Sequence, residues 1–337
     1  MPTTIHTAPG RRLVFGTRGS LLARTQTDHV RALLAARMPD WELPTELIRT
    51  EGDELQTVTR PEVVWPHLGI GVFTRQLEDA LAQGVIDVAV HSLKDLPTRC
   101  PDGLVLAAIP RRAVCWDLLV FADDPGPVEG WARREWIVGT SSIRREAFLK
   151  RHYPHWRTLP IRGNVDTRLS KLKGGVCAAL CLAAAGLERL GWWSPSQPSQ
   201  LDTPNGRFFV RPFGNEDGLL PAPGQGALAI QMRAEDARVP ILHELLNDPV
   251  TAAAIAAERA CLEALGGGCR VPIGAWGRPA SSPHRLALDG MVLSPDGQHC
   301  IDAGTTGALT DPGLLGQAVG QRLIEQGARI LLGEAGA

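Results

Sequence analysis

The chain has 337 residues, 44% of them hydrophobic, and a formal net charge of −1 at pH 7. That length exceeds one ordinary core, so two or three domains are expected, each able to fold without disulfide or metal staples; the composition excludes disorder, and the charge balance excludes a global basic field for nucleic acid. The seven cysteines, Cys100, Cys115, Cys177, Cys181, Cys261, Cys269 and Cys300, form an odd set without a C-x-x-C pair, which argues against a disulfide framework or a common zinc site and reads as reduced thiols.

Met1 to Gly10 is polar with no apolar core, and no apolar run is long enough to span a bilayer, so neither secretion nor membrane insertion is indicated and the cytoplasm is the default. Leu13-Val14-Phe15 predicts a short strand that runs into Gly16-Thr17-Arg18-Gly19-Ser20. Ser20 is the expected N-cap of a helix carrying Leu21, Leu22, Val30, Leu33 and Leu34. Gly16 and Gly19 let the backbone approach a ligand, the free amides of a helix N-terminus favour an anion, and Arg18 stands at that mouth. A second strand near Leu47 to Arg49 is followed by a stretch of little periodicity ending in Leu68-Gly69-Ile70-Gly71-Val72-Phe73, whose paired glycines suggest a lid. A helix over Thr74 to Gln83 presents Leu77 and Leu81 to the core and feeds the strand Asp87-Val88-Ala89-Val90. Strand, helix, strand at this spacing predicts parallel βαβ units. The strand then breaks into His91-Ser92-Leu93-Lys94-Asp95-Leu96-Pro97. Ligands in open α/β sheets sit beyond the carboxyl ends of the strands, where Lys94 and Asp95 would be delivered, with Asp95 the candidate catalytic centre. Taken alone, the pair also fits an exposed turn.

After Pro110 a new start appears. Leu118 to Phe121 reads as a strand, Asp123 to Pro127 as a turn, and Trp136-Ile137-Val138 as a strand entering Gly139-Thr140-Ser141-Ser142-Ile143-Arg144-Arg145. The shared order of strand, Gly-Thr, serine cap and helix predicts two similar α/β domains whose equivalent strand ends face a common cleft. Arg144 and Arg145 in a first helical turn oppose the macrodipole, so something anionic should offset them. Leu159 to Arg162 is the next strand, and Gly163-Asn164 opens a helix with Val165, Leu169 and Leu172 on its apolar stripe and Arg168 on the shoulder. Cys177 to Leu182 is a buried strand, with Arg189 in the helix behind it. Residues 192–217, rich in Pro, Ser, Asn and Gly, read as a long loop or flap. Pro221 to Ile230 turns back into a strand expected to return to the first domain. An alanine-rich helix over Asn247 to Leu265 ends in Gly266-Gly267-Gly268-Cys269, which can present a thiol to a ligand but also fits a buried cysteine after a helix C-cap. Strands near Leu286 to Val292 and His299 to Ala303 and a helix from Pro312 to Gln326 complete a small α+β domain. No Ser/His/Asp order, P-loop or Gly-x-Gly-x-x-Gly turn supports a protease or nucleotide chemistry.

Six motifs together carry a resemblance: Gly16 to Ser20, Ala89 to Pro97, Gly139 to Arg145, Arg162 to Leu169, Pro223 to Ala227 and Gly267 to Gly274. In these stretches, which run in order over nearly the whole chain, the sequence resembles the porphobilinogen deaminase (hydroxymethylbilane synthase) family. The resemblance implies an α/β fold of two type II periplasmic-binding-protein-like domains, residues 1–112 with 225–244 and residues 113–224, plus a small C-terminal α+β domain over 245–337. It implies a dipyrromethane cofactor in thioether linkage to Cys269, and stepwise condensation of four porphobilinogen molecules into hydroxymethylbilane with loss of ammonia. By position it assigns catalysis to Asp95 and cofactor binding to Cys269, Lys94, Asp95, Ser142, Arg144, Arg145, Arg168 and Gly186. Substrate binding falls to Arg18, Ser20, Arg162, Arg168, Arg189 and Phe73, in a monomer without nucleic acid or membrane partners. Each pyrrole carries an acetate and a propionate, which suits guanidinium forks at helix mouths, and deamination gives a cationic azafulvene, which suits a fixed carboxylate at Asp95. The competing class is a non-catalytic or low-turnover anion-binding paralogue, which would need neither Asp95 nor Cys269. Two departures stand out: Ile70 occupies the place of the family's lid lysine, and 192–217 is longer than the common form.

Overall fold

A computed structural model describes residues 10–49, 74–266 and 271–333. In chain order it contains β1 (Phe15–Thr17), α1 (Leu21–Ala35), β2 (Thr45–Leu47), α2 (Arg75–Ala82), β3 (Val88–Ser92), β4 (Leu104–Ala108), β5 (Asp117–Phe121), β6 (Ile137–Gly139), α3 (Ile143–His152), β7 (Arg157–Leu159), α4 (Val165–Lys173), β8 (Ala179–Ala183) and α5 (Ala184–Arg189). There follow β9 (Gln200–Thr203), β10 (Gly206–Phe213), β11 (Leu228–Arg233), α6 (Val239–Leu246), α7 (Pro249–Ala264), β12 (Ile273–Pro279), β13 (Arg285–Leu293), β14 (Cys300–Ala308), α8 (Pro312–Glu325) and α9 (Ala328–Leu331). The chain divides into two compact units, one of residues 1–91, 99–110 and 228–248, the other of 92–98, 111–227 and 249–337.

In the first unit the sheet runs β2-β1-β3-β11-β4, with β1 parallel to both β2 and β3 and β11 antiparallel to β4. The strand after Pro221 thus returns to the first sheet, as its sequence position suggests. Leu13, Phe15, Val88 and Val90 bury one face against Val30 and Leu34 of α1, while Ala89 joins Leu77 and Leu81 of α2 on the other. Full burial of such side chains stabilises by about 1.5–3 kcal/mol each.

In the second unit the sheet runs β7-β6-β8-β5-β10-β9, with β6 parallel to β7 and β8. The trios β2-β1-β3 and β7-β6-β8 are the same arrangement, and both central strands contain a glycine in close packing. A Cβ on Gly16 would collide with Ile86 Cδ1, and one on Gly139 would meet Leu180 Cδ2 at 2.7 Å. Ser20 Oγ accepts from Ala23 N at 3.3 Å and Ser142 Oγ from Arg145 N at 3.5 Å, so both predicted caps form. The two α/β parts share this strand arrangement, and the antiparallel sheet β12-β13-β14, backed by α7 and α8, is the small α+β part. Met291 and Leu293 of β13 also enter the core beneath β5 and α3.

The loop reading of residues 192–217 is corrected: β9 and β10 form a hairpin that pairs with β5 and widens the second sheet by two strands. Phe208 and Val210 point inward while Arg207 and Phe209 are exposed, a two-residue alternation hidden among the prolines, serines and glycines, and Phe213 is buried in the other core of this sheet. Asn164 is the N-cap residue of α4, but its side chain makes no capping hydrogen bond. Among the described residues no helix is long and apolar enough to cross a membrane.

Candidate active site

Strand β3 is buried up to His91, and the chain then tightens into a 3-10 turn over Leu93–Asp95. Leu93 N donates to Ala227 O at 3.0 Å and Leu93 is 1% exposed, so the turn is anchored by its first residue while Asp95 faces outward. The neighbour is the turn Pro223-Gly224-Gln225-Gly226. Gly224 has φ +78°, and a Cβ there would lie 2.5 Å from Leu93 Cδ2 and 3.2 Å from Lys94 N. Glycine is required for this approach.

A buried ion cluster lies behind the turn. Asp117, 1% exposed at the start of β5, accepts from Arg144 at 2.7 Å through Oδ2, and through Oδ1 from Arg145 at 2.6 Å and Gln225 Nε2 at 2.9 Å. Arg144 also donates to Leu220 O, Arg145 to Cys181 O and Gln225 to Cys115 O. Burial raises the Asp117 pKa, but the two guanidinium groups outweigh it and hold the carboxyl well below the usual carboxylate range. The anion expected to offset Arg144 and Arg145 is therefore supplied in part by the protein itself.

In front of this cluster a cavity of about 580 Å³ is lined by Lys94, Asp95, Ser141, Ser142, Arg144 and Arg145, with Gln225 and the apolar Leu262, Val271 and Ile273. Arg144 Nε and Arg145 Nε are buried without hydrogen-bond partners. Burial lowers the Lys94 pKa, Asp95 and Asp117 oppose that shift, and Arg145 and Arg144 add to it. Burial, then Arg145, lowers Arg168, with Asp95 opposing, so Arg168 shares this electrostatic neighbourhood; its Nε donates to Gly163 O at 2.8 Å. Three cations against two carboxylates in and behind the cavity leave an excess positive charge suited to anionic ligands.

Other predicted residues fall elsewhere. Arg162 lies half-buried just before α4, and Gly186 and Arg189 lie in α5. Arg189 donates to Gly226 O at 2.7 Å, and burial, partly opposed by Glu188, lowers its pKa to about 10. Arg18 and Ser20 belong to the first unit, beyond β1 and at the cap of α1. Cys269, Phe73 and Ile70 lie outside the described residues.

Sequence reasoning missed Asp117, Gln225 and Glu258. Glu258 is 0% exposed on α7 and accepts from Arg112 at 2.5 and 3.1 Å, Gly224 N at 2.7 Å and Gly277 N at 2.8 Å. The available signal was a single acid inside an otherwise apolar strand or helix face, because a buried charge demands partners.

A family model described as "Porphobilinogen deaminase, dipyromethane cofactor binding domain" matches residues 13–240, and one described as "Porphobilinogen deaminase, C-terminal domain" matches 252–325. Relatives named porphobilinogen deaminase include those of Thiobacillus denitrificans, 38% identical over 95% of this chain and 97% of the relative, and Rubrobacter xylanophilus, 42% identical over 96% and 97%. That of Neisseria meningitidis serogroup A is 41% identical over 96% and 97%. Among solved structures, the periplasmic VFT2 domain of Bordetella pertussis BvgS is 15% identical, with a TM-score of 0.38 over 70% of this chain and 86% of that one, and nothing about activity follows from it.

Proposed function

The chain belongs to the porphobilinogen deaminase family, and we propose that it acts as this family's transferase in tetrapyrrole biosynthesis, condensing four porphobilinogen molecules into hydroxymethylbilane with release of ammonia. The observation that carries the reading is the cavity that gathers Asp95 with Lys94, Arg144 and Arg145 beside Val271, two positions after Cys269.

The residues present fit a dipyrromethane: its acetate and propionate groups match the excess positive charge, and its rings match Leu262, Val271 and Ile273. When bound through Cys269, this group supplies the pyrrole carbon that accepts the first incoming unit. Arg144, Arg145 and Arg168 hold its carboxylates, Lys94 and Ser142 add donors, and Gly186 flanks it. Among the described residues Asp95 is the one carboxylate lining the cavity; it stabilises positive charge developing on the substrate as ammonia departs, and its Oδ atoms exchange protons with the leaving amine and the pyrrole nitrogen. Arg18, Ser20, Arg162, Arg168 and Arg189 hold substrate carboxylates, Arg189 with one terminal nitrogen committed to Gly226 O, and Phe73 stacks on a pyrrole.

The division into domains 1–112 with 225–244, 113–224 and 245–337 is retained in this reading, supported by the separate C-terminal sheet and the family match over 252–325. A monomer in the cytoplasm is part of it. Intact-protein mass spectrometry tests the assignment. The purified protein is expected to carry a covalent addition of two pyrrole units that Cys269→Ser lacks; unmodified Cys269 in active protein contradicts it.

A further inference from the structure

Helix α3 carries Arg144 and Arg145 in its first turn and Lys150 and Arg151 in its last, and both of its ends are fastened to the C-terminal sheet. At the first turn, Arg144 donates to Leu220 O at 2.7 Å. Leu220 in turn lies against β12: a Cβ on Gly274 would come within 2.8 Å of Leu220 Cβ, and Ala275 N donates to Pro221 O at 2.9 Å. Ile273, one residue before Gly274, and Val271 belong to the apolar wall of the cavity whose cationic wall is Arg144 and Arg145.

At the last turn the fastening is the connection between β13 and β14, residues 294–299. Gly297 has φ +76°, and its backbone lies flat on the helix: a Cβ there would collide with Ala147 O and stand 2.9 Å from Arg151 N. Arg151 Nη1 donates to Gln298 O at 2.9 Å, and Lys150 Nζ to Pro295 O at 3.3 Å. The turn is stiff in itself, because Gln298 N donates to Asp296 Oδ1 at 3.0 Å and His299 N to Ser294 Oγ at 2.9 Å. It is also continuous with the apolar wall, since Leu293 N donates to Pro272 O at 3.1 Å and Val292 pairs with Ile273. One fastening fixes a point on a helix; two fix the direction of its axis, and with it the aim of the guanidinium forks. We propose that the 294–299 turn is a positioning element of the cofactor site, in which Gly297 and Arg151 lock the cationic and apolar walls of the cavity into one frame. The inference rests on reading that cavity as the dipyrromethane site. A misplacement of about 1 Å far from the chemistry can cost up to ~10² in rate, so a remote grip of this kind bears on the reaction.

The test follows attachment at Cys269 in full-length apoprotein made in a host that supplies no porphobilinogen. In the first step the aminomethyl C–N bond of porphobilinogen breaks, an S–C bond to Cys269 forms, and the thiol proton leaves with the amine as ammonia. Porphobilinogen is added, and the two-pyrrole addition is timed by intact-protein mass spectrometry well below every variant's thermal midpoint. Gly297→Ala is expected to slow the addition about tenfold and Arg151→Gln about threefold, with Arg151→Lys recovering most of the latter because lysine can still donate to Gln298 O. Arg151 is exposed, so Arg151→Gln leaves the thermal midpoint in place and decides the matter should Gly297→Ala not fold. Gly175→Ala, at the same φ of +76° but with nothing within 4 Å of its Cβ, separates backbone strain from lost docking and is expected to keep the wild-type rate. If Gly297→Ala and Arg151→Gln react at the wild-type rate, or Gly175→Ala slows as much as Gly297→Ala, the inference fails and the cofactor reading stands. If wild type gains no addition at Cys269, the cofactor reading fails and the inference with it.

Discussion

Asp117→Asn keeps the volume and one carbonyl oxygen of the side chain but removes the charge that faces two buried guanidinium groups. Arg144 and Arg145 are 3% and 7% exposed, so water cannot stand in for the lost anion. Removing one member of a buried pair costs about 3–5 kcal/mol, and because one carboxylate serves two cations and Gln225, the upper part of that range is expected. Urea unfolding followed by tryptophan emission reads the effect, since Trp116, Trp131, Trp136 and Trp156 belong to the same unit as the cluster. The pH dependence has a definite sign. The folded pKa of Asp117 is depressed, so its stabilisation is fully present above the unfolded value of about 3.9 and is lost as pH falls from there toward the folded value. The stability gap between wild type and Asp117→Asn should therefore narrow steadily below about pH 4. A variant within about 1 kcal/mol of wild type at pH 7, or a gap that stays constant on acidification, refutes the argument.

Three further outcomes follow from the same geometry. Gly224→Ala, forced to φ +78° with its Cβ against Leu93 and Lys94 N, should lose about 1–3 kcal/mol in denaturant melts and raise KM by moving Lys94. Glu258→Gln should lose about 3–5 kcal/mol by leaving Arg112 buried without its anion, and adding Arg112→Met should restore part of that, so the double variant is less destabilised than the sum of the singles; strict additivity would deny the coupling. Arg144→Lys, which keeps charge but loses the guanidinium fork spanning Leu220 O and Asp117, should reduce the fraction of protein carrying the cofactor addition by mass spectrometry.

The sequence was legible where local chemistry decides structure. Ser20 and Ser142 cap helices because a serine hydroxyl accepts from an amide that the first helical turn leaves unpaired, and the repeated pattern correctly pointed to two similarly built sheets. Lys94 and Asp95 could be placed at the end of β3 from the apolar run and Pro97 alone. What escaped was decided by residues far apart in the chain. Asp117 meets Arg144, Arg145 and Gln225 across 27, 28 and 108 positions, and no local period announces such a meeting. The β9–β10 hairpin escaped for a different reason: turn-forming residues dominated its composition while the inward set of Leu201, Phe208, Val210 and Phe213 was sparse.

The central claim is that Asp95, held at the rim of a cationic cavity, is the carboxylate on which deamination of porphobilinogen depends. Rapid-quench single-turnover measurement of ammonia release by cofactor-loaded wild type and Asp95→Asn tests it directly. The account predicts a rate lower by on the order of 10² or more in Asp95→Asn with porphobilinogen still bound; a single-turnover rate near that of wild type would contradict it.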